Sequence, residues 1–392
     1  MENRGWKDGA FFEIANITMG QSPNGDTCNN YEGIPLLNGP TEFGIKYPKE
    51  IQYTLDSKRE CKPMDILFCV RGSTTGKMNW ADKKYSIGRG LAAINHKNGH
   101  EYNNFVKGVL DYNLDLLLAS ATGSTFPNIS RNQLENLQIK LPPLPEQKAI
   151  ASVLSSLDDK IDLLHQQNQT LEALAETLYL NFIGDKEFNS KLIDVFSLQN
   201  GYAFKSKSFK ESGTIRVIKI KNISGDIVDI TNSDFVNDES IKKLDVKFKI
   251  NSGDILIAMT GAEVGKLGIV PETDQSLWLN QRVGLLKEKF EGAKWLAYLH
   301  LKSDFGQDYI DNTATGSAQP NISGEGIENC EFPYFDDGEL KNFCQNLSTL
   351  FDKVVFNLGQ IQTLTKLRDT LLPKLMSGEM RVKTTDGYYG EN

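Results

Sequence analysis

One unit of this sequence is written twice. The stretch Ala121-Thr122-Gly123-Ser124-Thr125-Phe126-Pro127-Asn128-Ile129-Ser130 recurs, 193 residues on, as Ala314-Thr315-Gly316-Ser317-Ala318-Gln319-Pro320-Asn321-Ile322-Ser323. Leu157-Asp158-Asp159-Lys160-Ile161 recurs as Leu350-Phe351-Asp352-Lys353-Val354 at the same offset. Upstream, Asp65-Ile66-Leu67 with Gly72, Gly76 and Lys77 is matched at 189 by Asp254-Ile255-Leu256 with Gly261, Gly265 and Lys266. Ile34-Pro35-Leu36-Leu37 is matched at 181 by Ile215-Arg216-Val217-Ile218. Order is kept throughout, and the offset drifts in small steps, as insertions in loops make it do. The chain is therefore a tandem duplication of a unit of about 190 residues.

Each copy has two parts. The first is β-rich: short apolar runs, such as Asp65 to Val70 and Asp254 to Met259, lie between Gly, Asn, Asp and Ser turn residues. The second is a long helix. In the first copy Leu141-Pro142-Pro143-Leu144-Pro145 bars an earlier start. Glu146 opens the first turn, where its charge suits the helix dipole, and no Gly or Pro follows until Gly184. Apolar residues at Ile150, Leu154, Leu157, Ile161, Leu164, Leu171, Leu178 and Phe182 make a heptad stripe. The matching helix is predicted from about Gly338 to Leu372, stopping near Pro373, with Leu340, Phe343, Leu347, Leu350, Val354, Ile361, Leu364 and Leu371 on its stripe. Two narrow, sustained stripes in one chain pack most simply on each other; the alternative is that each helix covers its own β-rich part. A helix over 146–184 would run roughly 58 Å at about 1.5 Å per residue, beyond the reach of one small domain. Each stripe is broken once by an asparagine, Asn168 in the first helix and Asn357 in the second. By the offset, Asn357 corresponds to position 164, so the two lie either side of the middle of a helix over 146–184. In an antiparallel pair related by a pseudo-twofold axis such residues face each other. The two amides are predicted to meet and hydrogen-bond, fixing the register; otherwise both are exposed.

The net charge of −8 at first opposes nucleic-acid binding. It is unevenly spread: +1 over 1–145, −5 over 146–187, −3 over 188–335 and −1 over 336–392. Outside the acidic first helix the balance is close to even, which leaves room for local basic faces. No apolar run reaches the roughly 18 residues of a membrane span, and Met1 to Asp8 has no apolar leader core; the chain is expected in the cytoplasm, off the membrane. Five cysteines (Cys28, Cys61, Cys69, Cys330, Cys344) in no C-x-x-C pair suit free thiols in a reducing compartment. His96 and His100 flank a Lys97-Asn98-Gly99 turn signal, so no metal site is expected.

Catalytic motifs fail one by one. Gly72-Ser-Thr-Thr-Gly76-Lys77 has three residues between its glycines and Met78 after the lysine, where a phosphate-binding loop needs four and a Ser or Thr. The Gly261 to Leu267 copy departs in the same way, so both read as turns between strands. An amino-methyltransferase tetrapeptide is absent: the one Pro-Pro pair, Pro142-Pro143, is followed by Leu144. A nuclease set drawn from Asp65, Asp82 and Lys84 has no clear equivalent in the second copy. No catalytic residue is assigned.

With these features in place, particular stretches resemble the specificity subunits of type I restriction–modification systems. They are Leu141-Pro142-Pro143-Leu144-Pro145-Glu146-Gln147 before the first helix, Asp159-Lys160-Ile161 within it, Gly201-Tyr202-Ala203-Phe204-Lys205-Ser206-Lys207, and Leu371-Leu372-Pro373-Lys374-Leu375-Met376-Ser377-Gly378-Glu379 ending the second helix. The resemblance spans nearly the whole chain, with one departure: Glu331-Phe332-Pro333-Tyr334-Phe335-Asp336-Asp337-Gly338, the second junction, lacks Pro-Glu-Gln. It implies an α+β fold: two β-rich target-recognition domains separated by two long helices in an antiparallel coiled coil, as a pseudo-twofold tandem repeat. The boundaries read as 1–145 first recognition domain, 146–187 central helix, 188–337 second recognition domain, 338–380 distal helix and 381–392 tail.

The resemblance further implies a DNA-binding, non-catalytic subunit that reads a split, asymmetric double-stranded target. It would dock two methyltransferase subunits and two motor–nuclease subunits. S-adenosylmethionine, ATP and magnesium would belong to those partners, with no cofactor in this chain. Arg, Lys, Asn and Gln read base edges, while Lys, Ser and Thr hold phosphates. In the matched loops these groups are Arg71, Lys77, Arg89, Ser124 and Asn128 in the first domain, and Lys205, Lys207, Lys221, Lys266, Arg282, Gln319 and Asn321 in the second. Arg89 and Arg282, at equal offset, read as an equivalent pair. The alternatives are a specificity subunit in a methylation-only system, a self-contained nuclease–methyltransferase, and a helical scaffold carrying two protein-binding domains.

Overall fold

A computed structural model describes residues 5–121, 127–316 and 318–383. The chain forms two compact units, 1–162 with 364–392, and 163–363. Each holds one β-rich body and part of both long helices, so the helices do not form a body of their own.

In the first unit, Ala15–Met19, Leu91–His96, Ile66–Cys69 and Met78–Trp80 form an antiparallel sheet in that order. A second sheet runs Cys28–Asn29, Gln52–Thr54, Ile34–Leu37 and Ser86–Ile87, its last pairing parallel. Lys7–Ala10 pairs with Gln138–Leu141, just before the helix. In the second unit the order Phe196–Asn200, Val283–Glu288, Ile255–Ala258, Leu267–Ile269 repeats the first sheet, extended by Asp226–Val228 and Ile223–Ser224. A five-stranded sheet holds Phe209–Lys210, Asp234–Val236, Ile215–Ile218, Ser276–Leu279 and Lys249–Ile250. The duplicated Asp-Ile-Leu runs are thus the same strand in both units, flanked by one hairpin partner and one later strand and buried on both faces. Gly20 and Gly201 mark one shared constraint. A Cβ there would lie 2.2 Å from the Gly88 carbonyl oxygen or 2.0 Å from that of Asn280, so the backbones approach too closely for any other residue.

The central helix spans Leu144–Ile183. It starts two residues before Glu146 because Pro145 sits in the first turn, where its missing N–H has no helical acceptor to lose. The distal helix spans Asp337–Ser377, so Pro373 lies inside it rather than ending it. Proline removes one hydrogen bond, but Leu371, Leu372, Leu375 and Met376 pack into the first unit's core and hold the extra turn. The chain leaves the helix at Gly378, φ +76°.

Within each unit the helices run antiparallel. In the first, Asp158 pairs with Arg368 and Glu146 with Arg381; in the second, Asn168 meets Asn357 and the Phe182 ring stacks on Phe343. The two packing alternatives both hold. The helices pair, and each also covers its β-rich body: Ile150 and Leu154 enter the core with Phe105 and Leu110, and Phe351 stacks on Trp295 at 4.4 Å between centroids. Covering a body shifts the stripe. Beyond Leu171 the buried positions are Ala175 and Tyr179, and Leu178, expected on the stripe, is exposed.

Candidate nucleic-acid interface

At one end of each main sheet the repeated motifs are laced together by backbone bonds. In the first unit Val70 N donates to Gly90 O (2.9 Å), Gly72 N to Pro127 O (3.1 Å) and Ile129 N to Val70 O (2.9 Å). Arg71 and Asn128 bridge as a strand pair, and Arg71 Nε donates to Asn128 Oδ1 at 3.3 Å. In the second unit Met259 N donates to Arg282 O (3.1 Å), Gly261 N to Pro320 O (2.8 Å) and Ile322 N to Met259 O (3.0 Å), and Thr260 bridges Asn321. The lacing is the same; the side chains it carries differ.

This brings Arg71, Arg89 and Asn128 together in one unit, and Arg282, Gln319 and Asn321 in the other. It also corrects one alignment. Val70 and Met259 are equivalent, and their amides donate to Gly90 and Arg282, so Arg282 stands opposite Gly90 and Arg89 opposite Gln281. The offset between the copies is 192 here rather than 193, a slip that sequence matching on a shared arginine conceals. Lys77 and Lys266 are exposed at equivalent hairpin turns built on Gly72 and Gly76 and on Gly261 and Gly265, all with φ between +83° and +99°. Lys266 pairs with Glu263 in its own turn. Lys205 and Lys207 are exposed around the short turn Ser206–Ser208, in the segment that starts where Gly201 N donates to Val283 O. Lys221 lies at another turn, Ile220–Asn222, ion-paired with Asp234 at 2.8 Å. Such exposed pairs contribute little to stability and open readily. Ser124 falls outside the described residues.

Sequence reading missed Arg59. Its carbonyl accepts from Ile87 N at 2.9 Å, two residues before Arg89, and it is exposed. Only the strand pairing reveals this. It also missed a lysine clamp. Lys46 holds Asp159 and Asp162 of the central helix at 2.9 and 2.7 Å. Burial works against the ammonium, but the two carboxylates outweigh it and hold Lys46 above its ordinary range. The nuclease set dissolves: Asp65 caps Lys62 N and accepts from Asn95, Asp82 accepts from Tyr85, and Lys84 pairs with Glu60. Among the described residues no group of three His, Cys, Asp or Glu is placed to hold a metal ion, and no helix is long and apolar enough to cross a membrane.

Residues 3–173 and 185–366 each match the family described as the type I restriction modification DNA specificity domain. The chain belongs to the family of type I restriction–modification specificity subunits. The two matched segments are the two copies of the repeat. Among specificity-subunit relatives, the type I restriction enzyme MjaIX specificity subunit of Methanocaldococcus jannaschii is 26% identical over 384 residues, covering 90% of this chain and 85% of its own. The MjaVIII specificity subunit of the same organism is 25% identical over 342 residues, covering 81% and 80%. In fold, the chain is similar to the crystal structure of the type I restriction–modification S subunit from M. genitalium, with a TM-score of 0.62, 19% identity and coverage of 95% and 96%.

Proposed function

We propose that this specificity subunit reads a split double-stranded DNA target, one half with each β-rich unit, and carries no catalysis of its own. The observation that carries the reading is the twin laced sheet end. One backbone frame, built twice, presents Arg71, Arg89 and Asn128 in one unit and Arg282, Gln319 and Asn321 in the other. Arginine and asparagine are the side chains that pair bidentately with guanine and adenine edges, and the exposed Lys77, Lys205, Lys207 and Lys266 suit phosphates. Because the two frames carry different side chains, the half-sites differ and the target is asymmetric.

The relatives are specificity subunits of type I restriction enzymes, and the same role gives this chain two methyltransferase and two motor–nuclease partners, docked through the long helices. S-adenosylmethionine, ATP and magnesium are then the partners' cofactors. The test is to co-express the chain with its methyltransferase subunit and map methylated adenines across a genome. A single bipartite motif with unlike halves is expected. A palindromic motif overturns the asymmetry, and methyl transfer by the purified chain alone overturns the division of labour.

A further inference from the structure

The described arginines fall into two groups. Arg131, Arg368 and Arg381 are paired with carboxylates, and Arg216 is spent on the carbonyls of Ile230, Thr231 and Ser233 and on the face of Phe235. Arg59, Arg71, Arg89 and Arg282 have no carboxylate partner among the described residues, and all four are exposed. Their positions are not scattered. Arg71 and Arg282 stand at the laced ends of the main sheets, Arg89 precedes Gly90 of the same lacing, and Arg59 is bonded to the strand that leads to it.

The two laced ends exchange their arginine between neighbouring strands. In the first unit the strand Ile66–Cys69 runs on to Arg71, and the residue facing its end from Leu91–His96 is Gly90. In the second unit the strand Ile255–Ala258 runs on to Thr260, and the residue facing it is Arg282. At the facing positions themselves the guanidinium thus comes from opposite strands in the two frames, with Arg89 one residue before Gly90 in the first. Arg71 is also steadied: its Nε is bonded to Asn128, which leaves the two terminal nitrogens of the fork for a ligand.

We propose that Arg71 and Arg282 each read a guanine, one in each half-site, and that the strand exchange sets which position of the half-site that guanine occupies. This rests on the DNA-reading function proposed above. A guanidinium fork matches the O6 and N7 acceptors of guanine in the major groove. Its planar, always-charged fork presents its donors in one fixed geometry. Neighbouring strands are about 4.8 Å apart, and base pairs rise about 3.4 Å. Moving the fork by one strand therefore moves the base it reads by one or two steps relative to the frame.

The experiment maps methylated adenines in cells carrying the chain with its methyltransferase subunit, and measures DNA binding of the assembled complex, for the parent, Arg71→Ala and Arg282→Ala. Each variant is expected to lose guanine preference at one position of its own half-site, by about ten- to a hundredfold, leaving the other half-site intact. Both side chains are exposed, and the half-site that should stay intact in each variant reports that the complex still folds and assembles. Placing 7-deazaguanine, which lacks N7, at the assigned position should weaken binding of the parent complex and leave the matching arginine variant unaffected. If the parent gives a bipartite motif but the variants weaken all sites evenly, with a salt slope reduced by about one, the arginines hold phosphates; the inference fails and the DNA-reading function stands. If the parent complex methylates without sequence preference, both fall.

Discussion

The first β-rich body meets the long helices at a buried carboxylate, whereas the second adds stacked rings to its ion pairs. At the first junction the buried Glu146 carboxylate accepts from Trp6 Nε1 at 2.9 Å and from Arg381, and Gln147 bonds both His96 (3.0 Å) and the Pro142 carbonyl (2.8 Å). At the second, where Pro-Glu-Gln is missing, Phe335 and Phe343 stack on Phe182 at 4.2 and 3.9 Å, and Trp295 stacks on Phe351. Polar links remain there too: Tyr179 to His300 Nδ1 at 2.6 Å, His300 Nε2 to the Glu331 carbonyl at 2.8 Å, and Lys302 to Glu172 and Glu176 of the central helix at 3.2 Å each. A duplicated fold has met the same packing demand twice with different chemistry, so the two units should fail under different stresses.

The largest expected effect follows from the rings. Phe351 is fully buried against Trp295 and Tyr298. Phe351→Ala should cost about 3–5 kcal/mol, read by peptide-resolved hydrogen exchange as lost protection in 163–363 with 1–162 little changed. Equal loss in both units would mean they unfold as one and would erase the contrast.

Next comes acid. Burial holds His300 from its ordinary 6.5 down to about 4, against the opposing pull of the Glu331 carbonyl. Between those values the unfolded chain binds the proton and the folded one does not. Stability is therefore full above about 6.5 and falls as the pH drops toward 4, by on the order of 3 kcal/mol. Hydrogen exchange or urea melts of the parent and of His300→Gln should diverge over this window. A pH dependence unchanged by the substitution would remove His300 as its cause. In the first unit Glu146→Gln removes the carboxylate charge from the Arg381 pair. We expect a loss of about 2 kcal/mol, since Arg381 is partly exposed and solvent screens the pair. Its signature is release of the segment after the distal helix, and no change in 163–363.

What the sequence revealed, and what it hid, divides along the same line. Anything carried by the repeat was legible: the shared strands, the hairpin turns at Gly72 and Gly261, both long helices, and the place where the Asn168 and Asn357 amides meet. Each shows as a spacing within about 190 residues or as a match between copies. The links special to one copy were not. Glu146 and Arg381 are 235 positions apart with no counterpart to betray them, and Tyr179 and His300 are a hydroxyl and an imidazole with no motif. Leu178 was misplaced because a stripe that also covers a β-rich body must rotate toward it. Pro373 was misread as a stop because its cost is local, while the burial that outweighs it comes from the far N-terminal residues. The Arg89 and Arg282 match was off by one because residue identity was followed where hydrogen-bond register decides.

The smallest effect should be a gain. Asn357 Nδ2 donates to Asn168 Oδ1 at 2.9 Å, with a longer bond to Gln167 Oε1 at 3.4 Å, and both residues are buried. The other half of each amide, Asn168 Nδ2 and Asn357 Oδ1, has no partner among the described residues. A buried polar atom left unpaired costs about 1–3 kcal/mol, whereas replacing both partners by apolar groups of similar shape is neutral or better. The double substitution Asn168→Leu with Asn357→Leu should therefore raise stability by about 1 kcal/mol, seen as slower exchange over 164–175 and 354–361. Asn168→Leu alone should lower it, because Asn357 then keeps its amide buried with only the long bond to Gln167. The cost of the double change is specificity, since a polar layer admits one alignment of the helices and a leucine layer several. Disulfide trapping between cysteines placed one heptad out of register should succeed in the double variant and fail in the parent. If the double variant is less stable than either single one, the amide pair is worth more than its unpaired halves cost, and the helices are held together by it rather than merely aligned.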